Sequence, residues 1–464
     1  MMDTRTAAQA MAGMLHGQNA WFDSVTTDSR TAQAGALFVA LSGERFDGHD
    51  YVTRALERGA VAAVVAADRI GTPGVDLPNA VLLAVDDPLR ALGDLAATWR
   101  RRFTLPVVSI AGSNGKTTVK EMTAAILRVA HGERHVLATS GNLNNAIGLP
   151  LTVLGLRAMH SAAVIEIGMN HSGETARLAA IAQATIGVIN NAQREHQEFM
   201  KSVADVAAEH AALINALPER GVAVVNGDDD YGPFWHEVIV RRNAEGASIA
   251  LRDFGMRAAA SVTARYRGET WGAHVDVTTP EGSIGFDLRA LGRHSVANAL
   301  AAIAAATAAG ATLSDAAEAL SAFRPLSGRL RAIELADEAV VIDDTYNANP
   351  DSVRAAIAVL ARAASPRWLV LGDMGEVGEQ GVTFHREVGA YARAAGVDRL
   401  YAAGDLAQHA VAAFGEGGEH FASVDELILA LRPVPGRTLL VKGSRFMKME
   451  RVVQALTGTA MAAH

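Results

Sequence analysis

A glycine-rich loop beginning at residue 112 places the strongest constraint on the fold of this chain. A β-branched strand is predicted over residues 107–110 just before it, and a helix with one apolar face is predicted after it. Glycines let the backbone N–H groups curl around a phosphate, and a helix N-terminus adds partial positive charge. This strand–loop–helix unit predicts a nucleotide-binding P-loop formed by Gly112, Ser113, Asn114, Gly115, Lys116, Thr117 and Thr118.

Two residues of the loop suit specific parts of a magnesium nucleotide. Lys116 can reach the outer phosphates, and Thr117 offers a hydroxyl group to Mg²⁺. A full Walker A sequence would have glycine where Ile110 stands, so the loop is a shortened form. The alternative is a glycine-rich turn whose lysine is only a surface charge. The strand and the helix on either side favour the nucleotide site.

Length and composition bound the class of protein. The 464 residues are enough for about three domains. Apolar residues make up 50% and charged residues 20%, which indicates a globular chain. A net charge of −8 argues against a general nucleic-acid or membrane-surface binder, and the lack of cysteine excludes disulfides and thiolate chemistry. With neither a signal-peptide core nor a membrane span in the sequence, we expect a cytoplasmic monomer.

The order of predicted elements indicates an α/β protein of three domains, with limits at residues 1–103, 104–325 and 326–464. The second domain alternates strands and helices, as a parallel sheet with crossover helices does. A change of pattern over residues 261–288 predicts a small antiparallel appendage. The third domain repeats strand and helix in a Rossmann-like pattern. The basic run at residues 100–102 is interpreted as the solvated end of a helix.

Two further polar residues lie at predicted strand ends of the second domain. Glu166 is near the end of a strand over residues 162–167, and His196 follows a strand over residues 186–190. A carboxylate in a buried strand is costly unless it is paired or binds a metal, and a salt-bridged structural glutamate is the alternative. A lone histidine is more often a satisfied loop residue than a ligand. Because the carboxyl ends of parallel strands meet at one edge, both residues can converge with Lys116 on one magnesium nucleotide.

Three other segments carry weaker signals. The loop at residues 140–150 is rich in asparagine, which suits turns as well as phosphate and metal-water contacts. Asp344, within residues 343–350 after the first strand of the third domain, could bind a ribose hydroxyl, although helix capping by an Asp or Asn of this run is an equal alternative. Residues 442–445 form a compact cationic loop suited to a carboxylate or a phosphate.

Taken in order, these motifs resemble those of the Mur ligase family over essentially the whole chain. The segments that carry the resemblance are residues 28–30, 35–41, 43–50, 112–118, 141–145, 292–299, 327–330, 344–350, 371–374 and 442–445. The resemblance implies an N-terminal UDP-sugar-binding domain, a central P-loop ATPase domain and a C-terminal Rossmann-like ligase domain.

The resemblance also implies an activity that uses ATP and Mg²⁺. ATP phosphorylates the terminal carboxylate of a UDP-MurNAc-peptide, and an amine then attacks the acyl phosphate to form an amide. The run at residues 344–350 favours addition of the dipeptide D-alanyl-D-alanine to UDP-MurNAc-tripeptide, and these two small molecules are the expected partners. The alternatives are an enzyme that adds the third amino acid, whose Asp-Asn-Pro-Arg signature is missing, a folylpolyglutamate synthase, and a non-catalytic nucleotide-gated binding protein.

Residue roles follow from the same resemblance. The catalytic residues would be Lys116, Glu166 and His196, and the metal ligands Thr117, Glu166 and His196. ATP would be bound by the P-loop residues together with Asn298 at the adenine, Arg329 at a phosphate and Asp344 at the ribose. Nucleotide or metal support would come from Asn142 or Asn145. The UDP moiety would be held by Asp28, Ser29 and Arg30. The second substrate or domain closure would involve Tyr346, Asn347, Asn349, Ser444 and Arg445.

One position departs from the family pattern. Many members carry a lysine on the helix after the His196 strand, and its carbamate bridges magnesium. His210 occupies that position here, and an imidazole cannot form a carbamate. We therefore predict no carbamate and no activation by bicarbonate. Glu209 is expected to contribute, if at all, through water, and a solvent-facing His210 is the alternative.

Overall fold

The computed structural model describes residues 1–44, 46–257, 259–269, 271–335, 338–431 and 435–458. Arg45, which belongs to one of the resemblance motifs, lies outside the described residues, as do residues 459–464 at the end of the third predicted domain. Three large sheets, a two-stranded one and the helices packed on them make a three-domain α/β chain, which confirms the predicted fold class. The domain limits set from the sequence stay predictions. Among the described helices, none is both long and apolar enough to cross a bilayer.

The N-terminal domain is built on a five-stranded sheet with the order β2-β7-β6-β5-β4, and β1 pairs separately with β3. Strands β4 to β7 run parallel, and β2 is antiparallel to β7. The strands are β1 (Met2–Asp3), β2 (Met14–His16), β3 (Trp21–Phe22), β4 (Ser24–Thr26), β5 (Ala36–Val39), β6 (Ala62–Ala66) and β7 (Leu82–Val85). The helices are α1 (Thr4–Ala10), α2 (Val52–Glu57) and α3 (Pro88–Arg100).

The central domain has a nine-stranded sheet with the order β16-β15-β14-β13-β12-β11-β8-β10-β9. Its strands are β8 (Val107–Ala111), β9 (Val136–Ala138), β10 (Ala162–Glu166), β11 (Ile186–Ile189), β12 (Val222–Asn226), β13 (Ala250–Gly255), β14 (Val262–Glu269), β15 (Gly272–Thr279) and β16 (Gly282–Leu288). Its helices are α4 (Lys116–His131), α5 (Gly148–Leu154), α6 (Glu174–Ala182), α7 (Val203–Asn215), α8 (Gly232–Ala244), α9 (Arg293–Ala308) and α10 (Leu313–Ala322). Strand β8 lies between β10 and β11, so the P-loop leaves the middle of the sheet.

The predicted antiparallel appendage is wrong in one respect. Strands β14 to β16 are antiparallel to one another, as expected. However, β14 also pairs in parallel with β13, where Phe254 lies opposite Val262, so these strands extend the central sheet. The sequence pattern marked the change of strand direction but could not show that the ladder continues.

Helix α3 joins the first two domains into one packed unit. It begins at Pro88, and the side chain of Asp87 caps it by accepting from the amides of Leu89 and Arg90. Its buried Leu92 and Leu95 belong to a core cluster that includes residues of α5 and α6, against which α3 packs. The N-terminal domain therefore shares its core with the central domain.

The basic run at the end of α3 is only partly the solvated helix end that the sequence analysis expected, because Arg101 and Arg102 are exposed but Arg100 is buried. Arg100 is only 5% exposed, and its guanidinium donates to the carbonyls of Ala182 and Gln183 at 3.2 Å each and of Phe103 at 2.6 Å. Ala182 and Gln183 end helix α6, whose unpaired carbonyls and partial negative charge attract a cation. Arg100 thus fixes α3 to α6.

The C-terminal domain has a six-stranded sheet with the order β17-β18-β22-β19-β20-β21, in which β17 alone is antiparallel among the described strands. The strands are β17 (Arg331–Glu334), β18 (Val340–Asp344), β19 (Arg367–Gly372), β20 (Arg399–Ala403), β21 (Gly418–Phe421) and β22 (Thr438–Lys442). The helices are α11 (Pro350–Leu360), α12 (Gly381–Ala394), α13 (Ala407–Phe414), α14 (Val424–Ala430) and α15 (Glu450–Thr457). The parallel strands with helices between them match the expected Rossmann-like pattern.

Candidate active site

A cavity of about 760 Å³ lies where the central and C-terminal domains meet. It brings together most of the residues that the sequence analysis selected, namely Ser113, Asn114, Gly115, Lys116, Thr117, Thr118, Asn142, Asn145, Glu166, His196, Asn298, Arg329, Asp344, Tyr346, Asn347, Asn349 and Arg445. Gly112 and Ser444 adjoin the cavity without being among its described lining residues. Asp28, Ser29 and Arg30 belong to the N-terminal domain and are likewise outside that lining, and Asp28 and Arg30 pair with each other at 2.8 Å.

The P-loop depends on glycine at residue 115. The φ angle of Gly115 is +82°, and a Cβ there would lie 2.6 Å from Asn298 Oδ1 and 2.7 Å from Asn190 Nδ2. Asn190 Nδ2 donates to Asn298 Oδ1 at 2.9 Å and to the carbonyl of Asn114 at 2.7 Å. The buried side-chain amides of Asn190 and Asn298 therefore support the P-loop backbone. The adenine contact expected of Asn298 stays a prediction.

Lys116 begins helix α4 and folds back over its own loop. Its Nζ donates to the carbonyls of Gly112 and, at 3.3 Å, Ser113. The same Nζ lies 3.4 Å from Glu195 Oε2. The side chain is 14% exposed, so this cation is held at the cavity wall, where a phosphate can compete for it.

Glu195 is a cavity residue to which the sequence analysis gave no role. Its Oε1 lies 3.2 Å from His210 Nε2, and its Oε2 lies 3.7 Å from His196 Nε2. Burial alone would raise the pKa of this carboxyl, but Lys116, His210 and His196 outweigh that effect and lower the pKa to about 2. The only signal in the sequence was an acidic residue directly before His196 in a loop that follows a buried strand.

Glu166, at the end of β10, is buried, and only one of its two carboxylate oxygens accepts a hydrogen bond from a described residue. Its Oε1 accepts a hydrogen bond of 2.8 Å from Asn144 Nδ2, while its Oε2 has no hydrogen-bond partner among the described residues. Asn144, to which the sequence analysis gave no role, makes this contact, and the support of nucleotide or metal by Asn142 or Asn145 stays a prediction. Asn145 Oδ1 accepts hydrogen bonds from the amides of Ile147 and Gly148 at 3.1 and 2.9 Å. This contact is the turn-forming role that the sequence analysis gave as the alternative to ligand binding.

The residues present suit magnesium that arrives with a nucleotide. The described part of the chain has no ready-made group of three His, Asp or Glu side chains that could hold a metal. Two buried carboxylate oxygens of the cavity, Glu166 Oε2 and Glu195 Oε1, nevertheless make no hydrogen bond to any described residue. Mg²⁺ commonly takes only one or two protein carboxylates and completes its shell with phosphate oxygens and water. The donor set therefore fits Mg²⁺ bound together with phosphates.

Helix α7 carries His210, at the position where many family members have a lysine, and the neighbouring Glu209. His210 is 1% exposed and lies against Glu195, so the solvent-facing alternative is wrong. Glu209 has both oxygens engaged elsewhere, because they accept from the amides of Gly173 at 2.8 Å and Thr175 at 2.7 Å. These amides lie at the start of α6, and Glu209 is outside the described lining of the cavity. The expected water-mediated role of Glu209 at the metal is therefore not supported.

Residues of the C-terminal domain and its linker reach into the P-loop. Arg329 Nη2 donates to Thr117 Oγ1 at 3.1 Å, and its guanidinium lies 3.8 Å from the ring centroid of Tyr346. Asn349 Nδ2 donates to Asn114 Oδ1 at 2.9 Å, while Asn349 Oδ1 caps helix α11. Asn349 thus combines the capping role with a contact between domains.

A set of ion pairs closes the same interface. Arg194, in the loop after β11, lies 2.5 Å from Asp351 and 2.7 Å from Glu387, both in the C-terminal domain. This pairing raises the pKa of Arg194 and lowers that of Glu387. His196 Nδ1 lies 2.7 Å from Glu376 Oε2, and contact with this histidine lowers the pKa of Glu376. Loop residues of the central domain are therefore engaged by C-terminal carboxylates.

The loop at residues 344–350 is fixed from within its own domain. Buried Lys442 Nζ lies 2.5 Å from Asp344 Oδ2 and donates to the carbonyl of Asn347 at 2.9 Å. Ser444 donates to the carbonyl of Ala348 at 3.1 Å and accepts from the amide of Gly375 at 2.7 Å. The ribose role of Asp344 and the substrate roles of Asn347 and Ser444 stay predictions, because these side chains also shape the loop.

Fold and site together define an enzyme that couples a P-loop nucleotide site to a second domain across a shared cavity. Three family models match the chain: the Mur ligase family catalytic domain over residues 22–100, the Mur ligase middle domain over residues 110–306, and the Mur ligase glutamate ligase domain over residues 328–445. The chain belongs to the Mur ligase family and is an ATP-dependent ligase.

Full-length relatives support this assignment. The UDP-N-acetylmuramoyl-tripeptide–D-alanyl-D-alanine ligase of Escherichia coli K12 is 40% identical over 96% of this chain and 96% of its own length. The crystal structure of MurF from Acinetobacter baumannii, at 32% identity, superimposes with a TM-score of 0.87 and 98% coverage of both chains. MurF of Thermotoga maritima in complex with ADP, at 25% identity, gives a TM-score of 0.81 over 93% of this chain and 96% of that one.

Proposed function

We propose that this chain joins D-alanyl-D-alanine to UDP-N-acetylmuramoyl-tripeptide at the expense of ATP, giving UDP-MurNAc-pentapeptide, ADP and phosphate. The observation that carries the proposal is the shared cavity, in which Lys116, Glu166 and His196 of the central domain meet Arg329 of the linker and Tyr346 of the C-terminal domain. The names of the full-length relatives support the choice of substrates over a third-amino-acid or folylpolyglutamate ligase. Consumption of ATP and a UDP-linked precursor supports a cytoplasmic location.

The first chemical step needs a site that brings two anions together. A terminal carboxylate oxygen of the tripeptide attacks the γ-phosphorus of ATP, the bond to the bridging oxygen of ADP breaks, and an acyl phosphate forms. Lys116, the P-loop amides and Arg329 offer positive charge and N–H donors to the transferring group. Mg²⁺, held by Thr117, Glu166 and His196 with the phosphates, would neutralise further negative charge.

The second step forms the amide. The dipeptide amine attacks the acyl carbon, and the carbon–oxygen bond to phosphate breaks. Tyr346, Asn347, Asn349, Ser444 and Arg445 come from the C-terminal side of the site and are proposed to orient the dipeptide or to keep the domains closed. Asp28, Ser29 and Arg30 are proposed to hold the UDP moiety in the N-terminal domain. The closed interface excludes water from the acyl phosphate.

A phosphate-release assay tests this function. Release should need ATP, Mg²⁺, UDP-MurNAc-tripeptide and D-alanyl-D-alanine together, and omission of any one component should stop it. Lys116→Ala should abolish release and leave the thermal melting unchanged, because Lys116 contributes little to the core. Lys201→Ala, which changes an exposed lysine in the loop between β11 and α7, is the matched control and should keep normal turnover. Equal turnover without the dipeptide would refute the substrate assignment.

A further inference from the structure

Glu195 differs from an ordinary structural carboxylate in how it is satisfied. Its side chain is 6% exposed and lines the active-site cavity, yet Oε1 has no hydrogen-bond partner within the described chain. His210 Nε2 lies 3.2 Å from Oε1, within ion-pair range but without the alignment of a hydrogen bond. This buried oxygen therefore lacks an aligned donor, although the residue that carries it lines the cavity.

Glu209 provides a direct comparison on the helix that carries His210. Both of its oxygens accept short, aligned hydrogen bonds from backbone amides, and it is not among the described residues of the cavity lining. That arrangement is what a buried structural carboxylate requires. Among the described residues, the ion-pair partners of the Glu195 carboxylate are the side chains of Lys116, His196 and His210.

We propose that Glu195 is a second carboxylate of the magnesium–nucleotide site and that His210 is the residue that positions it. Lys116 Nζ shields Glu195 Oε2 at 3.4 Å. When phosphates engage Lys116, the carboxylate loses this cation and is left facing the cavity, where a divalent cation brought with the phosphates replaces the lost charge. The inference rests on the proposed function, which requires a magnesium nucleotide at this site. Glu195 would supply a negative charge there in place of the carbamate that His210 cannot form.

The test is the factor by which Mg²⁺ strengthens nucleotide binding. Calorimetry would measure the affinity for ADP in EDTA and in Mg²⁺, without tripeptide or dipeptide. Glu195→Gln should lower the Mg²⁺ factor by about 10- to 100-fold, as loss of an anion close to a metal does. In EDTA the variant should bind ADP at least as well as wild type, because a carboxylate that repels phosphate is gone. Glu198→Gln, the same change at an exposed position of the same loop, should leave both affinities unchanged.

Two outcomes would overturn the proposal. An unchanged Mg²⁺ factor in Glu195→Gln would show that the carboxylate does not serve the metal. An equal loss of ADP affinity with and without Mg²⁺ would assign it a purely structural role. If Glu195→Gln does not fold, His210→Gln decides the matter, since it retains the carboxylate but removes its neighbour. Its Mg²⁺ factor should fall below that of the wild type, and an unchanged factor would contradict the proposal.

These results can be separated from a failure of the proposed function. Dipeptide-dependent phosphate release by the wild-type chain reports on the substrates, whereas the Mg²⁺ factor is measured in the absence of both peptides. A wild-type chain with a large, Glu195-dependent factor but no dipeptide turnover would retain this inference and refute the substrate assignment. Normal turnover with dipeptide, together with a Mg²⁺ factor that does not depend on Glu195, would support the substrate assignment and refute this inference.

Discussion

Arg329 in the linker donates a 3.1 Å hydrogen bond to the hydroxyl group of Thr117 in the P-loop. The ring of Tyr346 supports the guanidinium from one side at 3.8 Å. A cation from outside the central domain is thus positioned beside the phosphate loop. Its planar, stacked placement is specific to arginine.

Arg329→Ala should lower kcat/KM for ATP by roughly 100-fold, the usual effect of losing one donor to a developing charge. Arg329→Lys should recover only part of this loss, because a lysine cannot both stack on Tyr346 and reach Thr117. Steady-state phosphate release at varied ATP concentration measures both variants. Near-normal kinetics of Arg329→Ala would contradict the role, and unchanged melting temperatures would serve as the folding control.

The ion pairs of Arg194 should help to hold the central and C-terminal domains together. It joins the central domain to Asp351 and Glu387 at 2.5 and 2.7 Å, and partly exposed ion pairs of this kind are worth up to about 1 kcal/mol each. Arg194→Gln should therefore raise the radius of gyration measured by small-angle scattering without ligand. Arg354→Gln is the matched control, since Arg354 contacts the same Glu387 at 2.7 Å from within the C-terminal domain. An increase of equal size in both variants would refute the interdomain role.

The chain should carry no carbamate at residue 210. His210 is an imidazole, buried against Glu195, and cannot add carbon dioxide as a lysine amine does. Carbon-13 NMR after equilibration with labelled bicarbonate should show no carbamate signal in the wild type, and bicarbonate should not raise the rate. His210→Lys provides a comparison chain that could form the adduct. A carbamate signal or rate stimulation in the wild type would show that another lysine serves the site.

Asp47 should make the stability of the chain depend on acid pH. Burial raises the pKa of its carboxyl, but the His49 amide and ring and the Ser42 hydroxyl outweigh this and lower it from 3.8 to about 2. A lowered pKa stabilises the fold at pH values above the unfolded value, and the contribution is lost as pH falls from about 4 to about 2. Because solvent screens this partly exposed carboxyl, the contribution is smaller than the roughly 2 kcal/mol that the full shift would give.

Urea unfolding of wild type and Asp47→Asn measures this contribution. The difference between their midpoints should be constant from pH 7 to pH 5 and should shrink below about pH 4, where the wild-type aspartic acid begins to resemble the amide. A difference that grows toward acid pH would contradict the assignment.

The sequence located the centre of the site because its elements obey a simple topological rule. Lys116, Glu166 and His196 all follow strands of one parallel sheet, and the carboxyl ends of such strands meet at one edge. The glycine-rich loop and the alternation of strands and helices therefore sufficed to predict the fold class and to bring these residues together. The structure places all three on one cavity.

Contacts set by tertiary packing were not predictable in this way. Asn144 rather than its neighbours supports Glu166, because the turn before α5 decides which amide points to β10. The burial of Arg100 depends on where α6 ends, and the pairing of Arg194 depends on how the C-terminal domain docks. The sequence around Arg100 or Arg194 does not encode either of these contacts.

The most direct test of the account is the mass of the product formed from UDP-MurNAc-tripeptide. Wild-type chain would be incubated with ATP, Mg²⁺, the tripeptide and an equimolar mixture of D-alanyl-D-alanine and D-alanine, and the nucleotide-linked products would be weighed by mass spectrometry. The account predicts one product, heavier than the tripeptide by one dipeptide less one water, with one phosphate released per product. A product extended by a single alanine, or ATP hydrolysis without any extended product, would contradict it.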